Sequence, residues 1–172
     1  MKILIIKNFQ NYIIEYYKNY DYGEFKEYQK NNFDGFLEIS KDIQAKIDSH
    51  EYDKIIYIFN TSFKHHLEFE NSNNCEFKSV EWNLYNVVPI NIEKFMTIIH
   101  NQTYPKDFNV NGTEFFIFKN QDSVIQRDNF IHLVEHLPND TTFDICGLNY
   151  KNRINDLVQE LKILNFTNIN VC

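Results

Sequence analysis

Two apolar patterns alternate along this chain. Residues 3–6 (ILII) and 54–59 (KIIYIF) are continuous β-branched and apolar runs, the pattern of strands covered on both faces. Residues 113–118 (TEFFIF) and 142–146 (TFDIC) have the same character, and 167–172 (TNINVC) closes the series as a fifth predicted strand. Between these runs the apolar spacing becomes helical. Phe36, Ile39, Ile43 and Ile47 share one face of a helix predicted over 36–50, and a second over 91–101 (NIEKFMTIIHN) follows Pro89. A third, over 128–137, carries Phe130, Leu133, Val134 and Leu137 on one side and is stopped by Pro138. The fourth, over 152–164, turns Ile154, Leu157, Val158, Leu161 and Leu164 inward. Strand and helix in alternation predict an α/β fold, a three-layer α/β/α arrangement around a mainly parallel, Rossmann-like sheet of five or so strands.

The chain of 172 residues is long enough for one domain, 1–172, and too short to suggest two. Residues 61–90 are polar and yield no element, so about 61–105 stands apart as a divergent segment holding only the 91–101 helix. A net charge of −7 argues against nucleic acid, whose binding rests on clustered Lys and Arg displacing counterions. The apolar run at residues 3–6 is too short for a signal peptide, and no stretch approaches the roughly 18 residues of a membrane span. Cys75, Cys146 and Cys172 are an odd number at no metal or disulfide spacing, which fits a reduced cytoplasmic protein without a cofactor.

In parallel sheets ligands sit beyond the carboxyl ends of the strands. The positions of interest are therefore 7–12, 60–64, 119–123 and 147–153. Gly147 is one of only four glycines, so its place directly after a buried strand is informative. There it permits a sharp turn, keeps space above the strand tip, and lets the next helix aim its N–H groups into that space.

Three stretches, FDICGLNYKNRINDLVQELKILNFTNINV (143–171), IIKNFQNY (5–12) and FFIFKNQDSVIQRDNF (115–130), resemble the isochorismatase-like cysteine hydrolase family, which includes nicotinamidases. They fall in the family's order and cover most of the chain outside 61–105. The resemblance implies the family's α/β/α fold and a pocket formed by a catalytic aspartate, a lysine and a cysteine nucleophile at a helix start. Matched position by position, the lysine is Lys119, the aspartate is Asn8 and the cysteine is Arg153. No register shift restores the missing groups, because no carboxylate precedes Glu15 and no cysteine lies between Gly147 and Val171. Asn8 cannot act as a carboxylate base, and Arg153 is not a nucleophile. The family's metal pattern falls on SFKHHLEF (62–69), where Ser62 and Lys64 replace two ligands and leave His66 alone, so no metal is expected.

Other candidates have plainer explanations. His132, Glu135 and His136 spell an inverted zinc-peptidase motif, but no third ligand is evident and two solvent-facing histidines are expected. Cys146 belongs to the strand end and is expected to pack as a small apolar group, and Cys172 is incidental. Tyr16, Tyr17, Tyr20 and Tyr22 could form a contact surface. Arg153 opposes the dipole of its helix. It either turns to solvent, or pairs with Asp122 or Asp156, or joins Lys119, Asn8 and the helix N–H groups in a pocket for a small anion.

Asn168 to Cys172 of the last predicted strand are expected to form an exposed sheet edge, open to pairing with another chain. Two functions stay open. One is a non-catalytic pseudoenzyme acting through protein contacts, as a homo-oligomer or with a protein partner at that edge, with an anion-binding remnant of the old pocket. The other is an amidohydrolase with a rearranged site using Lys119 and Cys146.

Overall fold

The computed structural model describes residues 1–11, 14, 25–60, 83–104, 106–119, 127–147 and 153–172, with backbone alone for 25–34, 60, 119, 127–128 and 153. They form an α/β fold of six strands and four helices: β1 (Lys2–Lys7), α1 (Phe25–Asp48), β2 (Lys54–Asn60), α2 (Ile92–Asn101), β3 (Phe108–Val110), β4 (Glu114–Lys119), α3 (Arg127–Val134), β5 (Thr142–Gly147), α4 (Arg153–Ile163) and β6 (Ile169–Val171). The strands make one sheet in the order β3-β4-β2-β1-β5-β6, parallel throughout except for β3, which runs antiparallel to β4.

The continuous apolar runs are explained by burial on both faces. Along β1, Leu4 and Ile6 enter one hydrophobic cluster with Phe36, Ile43 and Ile47 of α1 and Phe95 and Ile99 of α2. Ile3 and Ile5, pointing the other way, join Phe130 and Val134 of α3 and Ile154, Leu157 and Leu161 of α4 in the second. The helices therefore lie in two layers with the sheet between them. Stacked rings tie the β2–β4–β3 side together: Phe116 lies 4.6 Å from Tyr57, 4.7 Å from Phe108 and 4.8 Å from Phe95 between ring centroids.

Two expectations need correction. The first helix begins at Phe25 rather than at residue 36. Gly35 and the polar residues before it read as a boundary because an internal glycine costs roughly 1 kcal/mol in a helix. The sheet also has a sixth strand, β3, paired through Phe108↔Phe116 and Val110↔Glu114. Asn111 and Gly112 turn this hairpin at φ 56° and 74°, the left-handed geometry that Asn-Gly favours. Smaller differences lie at element ends, where α3 stops at Val134 and a turn carries the chain to Thr141.

Buried polar groups fasten the segment ahead of α2 to the sheet. The Glu114 carboxylate, fully buried, accepts hydrogen bonds from Tyr57 Oη at 2.8 Å, the Ile90 and Asn91 N–H groups at 2.9 Å each, and Asn91 Nδ2 at 2.7 Å. Burial beside that carboxylate pushes the Tyr57 hydroxyl pKa well above its ordinary value. Among the described residues no helix is long and apolar enough to cross a membrane.

Candidate functional site

The chain crosses from one side of the sheet to the other between β4 and β5, so the strand order reverses between β1 and β5. This is the switch point at which open α/β sheets leave a crevice beyond the strand ends. Lys7 and Gly147 are register partners there. Gly147 has φ 137°, and a Cβ on it would stand 2.0 Å from the Lys7 carbonyl oxygen, so only glycine fits. The two backbones thus approach closely at the strand ends of the switch point.

Asn8 follows directly. Its N–H donates to Ile58 O at 3.0 Å, and its φ of 55° lifts the chain off the β1 direction. Asparagine tolerates this left-handed geometry better than most residues. Asn8 is only 5% exposed, and among the described residues its buried Oδ1 has no hydrogen-bond donor. Buried amide oxygens are normally paired, because leaving one bare costs about 1–3 kcal/mol. Lys7, 1% exposed, ends β1 alongside it and opens the 7–12 stretch that the sequence marks as a strand end. A lysine closing an otherwise apolar strand is the signal that marks it.

The other pocket positions are fixed at the backbone. Lys119 ends β4, paired with Asn60 of β2, so it lies at the same edge of the sheet as Asn8, on the far side of β2. Arg153 opens α4, the helix that follows β5. The side chains of Lys119 and Arg153, the SFKHHLEF stretch, Asp122 and the four tyrosines lie outside the described residues. The strand ends carrying Asn8, Lys119 and Gly147 therefore share one edge of the sheet, with the start of α4 next in the chain.

An apolar cavity of about 180 Å³ opens beside the end of β2, lined among the described residues by Phe59, Leu84, Val87, Phe95 and Met96, with Asn83 as a polar contributor. Its outer wall is held to the chain just after Asn8. Asn11 N–H donates to Asn83 O at 2.8 Å and Tyr85 N–H to Phe9 O at 3.0 Å, with Gln10 bridged to Leu84.

Cys146 is 1% exposed and belongs to the core, as expected, and its hydrogen bond to Cys172 and its burial push the thiol pKa far up. It has neither the exposure nor the ionisation of a nucleophile. The helix carrying His132 ends at Val134, so His136 falls in the following turn and the two rings do not share a helical face. Both face solvent, 71% and 86% exposed, and engage Glu135 Oε1 at 2.7 and 3.5 Å. The hydrogen bond from His132 holds the Glu135 carboxyl below its ordinary pKa. Among the described residues no group of three or more His, Cys, Asp or Glu could hold a metal ion.

No family model, curated protein or solved structure matches this chain.

Proposed function

We propose that this chain is a non-catalytic, isochorismatase-like domain that binds a small ligand at the β1–β5 switch point and acts through contacts with other protein chains. The observation that carries the proposal is the buried Asn8 side chain at the end of β1, whose Oδ1 lacks a donor among the described residues. An acceptor held in this way suits a ligand that brings an N–H or O–H group. Lys119 and Arg153, at the positions that complete the family pocket, suit an anionic group on the same molecule. The ligand class is a small carboxylate or phosphate that also carries an amide or hydroxyl. Asn8 supplies no base, and Cys146 is buried with a raised pKa, so bound carboxamides leave unchanged.

The β6 edge is the contact surface in this proposal. β6 ends the sheet order, and Val171 is 55% exposed. Two copies of such an edge can pair about a twofold axis.

Thermal-shift titration of the purified chain tests the pocket, with small carboxylates, inorganic phosphate, hydroxy acids and nicotinamide-like amides as probes. A ligand that binds the folded state raises the melting temperature by mass action. At least one probe is expected to raise it in the wild type and to lose that effect in Asn8→Gly and Arg153→Ala. Hydrolysis of any carboxamide that disappears in Cys146→Ala would instead establish the rearranged hydrolase. A flat response to every probe would remove the pocket from the account.

A further inference from the structure

Cys146 and Cys172 stand opposite each other across the β5–β6 pairing. The named register of these strands reaches Ile145↔Val171, and the Cys172 N–H donates to Ile145 O at 2.9 Å. In a parallel ladder that bond sets residue 172 against residue 146. Register partners share a face of the sheet, and on this face they touch. Asp144 and Asn170, two residues earlier on each strand, are joined by a 2.7 Å hydrogen bond from Asn170 Nδ2 to Asp144 Oδ1. Neighbouring strands lie about 4.8 Å apart, inside the roughly 4.4–6.8 Å between Cα atoms that a disulfide spans.

The two thiols differ in access. Cys146 is 1% exposed within the core, whereas Cys172 is exposed. They also share a hydrogen bond. The Cys146 thiol lowers the Cys172 pKa to about 7 against the opposing effect of burial, with the Lys46 ammonium helping and the Asp144 and Asp42 carboxylates opposing.

We propose that Cys146 and Cys172 form an oxidisable dithiol, a modification site at which a hydroperoxide converts the pair to a disulfide bonding β6 to β5. In the first step the Cys172 thiolate attacks one peroxide oxygen. An S–O bond forms, the O–O bond breaks, and the departing hydroxide takes a proton to leave as water. In the second step the Cys146 sulfur attacks the Cys172 sulfenic acid. The S–S bond forms, the S–O bond breaks, and hydroxide leaves with the Cys146 proton as a second water. Two thiols are oxidised and one hydrogen peroxide is reduced to two waters. Cys172 attacks because it is exposed and ionises first; Cys146 resolves because it sits one strand away with no access to bulk oxidant.

The test uses the reduced full chain treated with stoichiometric hydrogen peroxide, blocked with N-ethylmaleimide and digested without reduction. The expected product is a cross-linked peptide pair containing Cys146 and Cys172, two hydrogens lighter than the separate peptides and released by dithiothreitol. In Cys146→Ser, Cys172 is expected to accumulate as a sulfenic acid that dimedone captures. In Cys172→Ser, at the exposed position, Cys146 is expected to stay reduced at the same peroxide dose, which keeps the proposal testable if the core substitution does not fold. Oxidation of Cys172 to sulfinic acid without a cross-link in the wild type would overturn the proposal. So would a cross-link through Cys75, or loss of Cys146 thiol in Cys172→Ser. These outcomes are read from covalent chemistry and are independent of ligand binding at Asn8.

Discussion

Gly147 sits so close to Lys7 that an added Cβ would lie 2.0 Å from the Lys7 carbonyl oxygen. Lys7 and Gly147 form the last of the six register pairs that join β1 to β5 at the sheet's switch point, and Asn8 follows directly.

Gly147→Ala is therefore expected to be the most damaging conservative change near the site. It combines a φ of 137° with a backbone clash that no rotamer relieves. A loss of roughly 3 kcal/mol or more in urea unfolding is expected from strain and overpacking together. A loss below about 0.5 kcal/mol, the scale of an ordinary surface change, would show that the two strand ends separate easily.

Glu114→Ala removes the acceptor for Tyr57 Oη and for the Ile90 and Asn91 N–H groups. Several buried donors lose their partner at once, so a destabilisation of about 3–5 kcal/mol is expected. Hydrogen exchange should localise the effect, with Ile90 and Asn91 losing protection before the β1 amides do. Uniform loss across the sheet would contradict a latch that acts on the segment ahead of α2.

Asp144 supplies a pH signature. Burial pushes its carboxyl up, but the Tyr52 and Asn170 hydrogen bonds and the Lys2 and Lys46 ammonium groups outweigh burial and hold its pKa below the ordinary value of 3.8. A carboxylate depressed in the folded state stabilises the fold above the unfolded pKa and loses that contribution as pH falls through the folded one. Asp144→Asn should thus be less stable than wild type at neutral pH, and the gap should close as the pH is taken well below 3.8. Denaturant midpoints across an acid series measure this, and a gap that does not change with pH would assign the effect to packing.

Asn8→Gly separates backbone from side chain. Glycine accepts a φ of 55° freely, so the fold should lose less than about 1 kcal/mol. Ligand-induced thermal shifts should vanish in the same variant. Retained shifts would move the ligand away from the switch point, with the apolar cavity at Phe59 and Phe95 the place to examine next.

Much of the scaffold is written locally. The runs at 3–6 and 54–59 needed no tertiary information, since an apolar residue at every position has to be covered on both faces. The α4 stripe of Ile154, Leu157 and Leu161 is equally direct and is buried as its spacing implies. The β3 hairpin was missed although Asn111-Gly112 signals it, because Phe108–Val110 is only three residues long and has no periodicity of its own. The start of α1 was missed for the opposite reason: its first turns lack an apolar stripe, and Gly35 looks like an end.

The candidate site was legible only in part. Gly147, Asn8 and the burial of Cys146 follow from strand-end position and residue type. Lys7 lay in the 7–12 stretch of interest, but its burial was not legible because a terminal lysine normally reaches solvent; it is 1% exposed here, flanked by β2 and β5. Cys172 looked incidental because sequence spacing does not reveal which strand it will face.

What the amino-acid order determined by itself is most of the elements, β3 and the start of α1 apart, since hydrophobic periodicity is a property of neighbouring residues. What the tertiary structure decided is adjacency: β1 between β2 and β5, Gly147 against Lys7, Glu114 under Ile90 and Asn91, Cys146 beside Cys172. Each of these pairs residues far apart in the chain, and their contact depends on which strand enters the sheet beside which. Crossover direction and the burial of two apolar faces settle that order, and both are properties of the whole sheet.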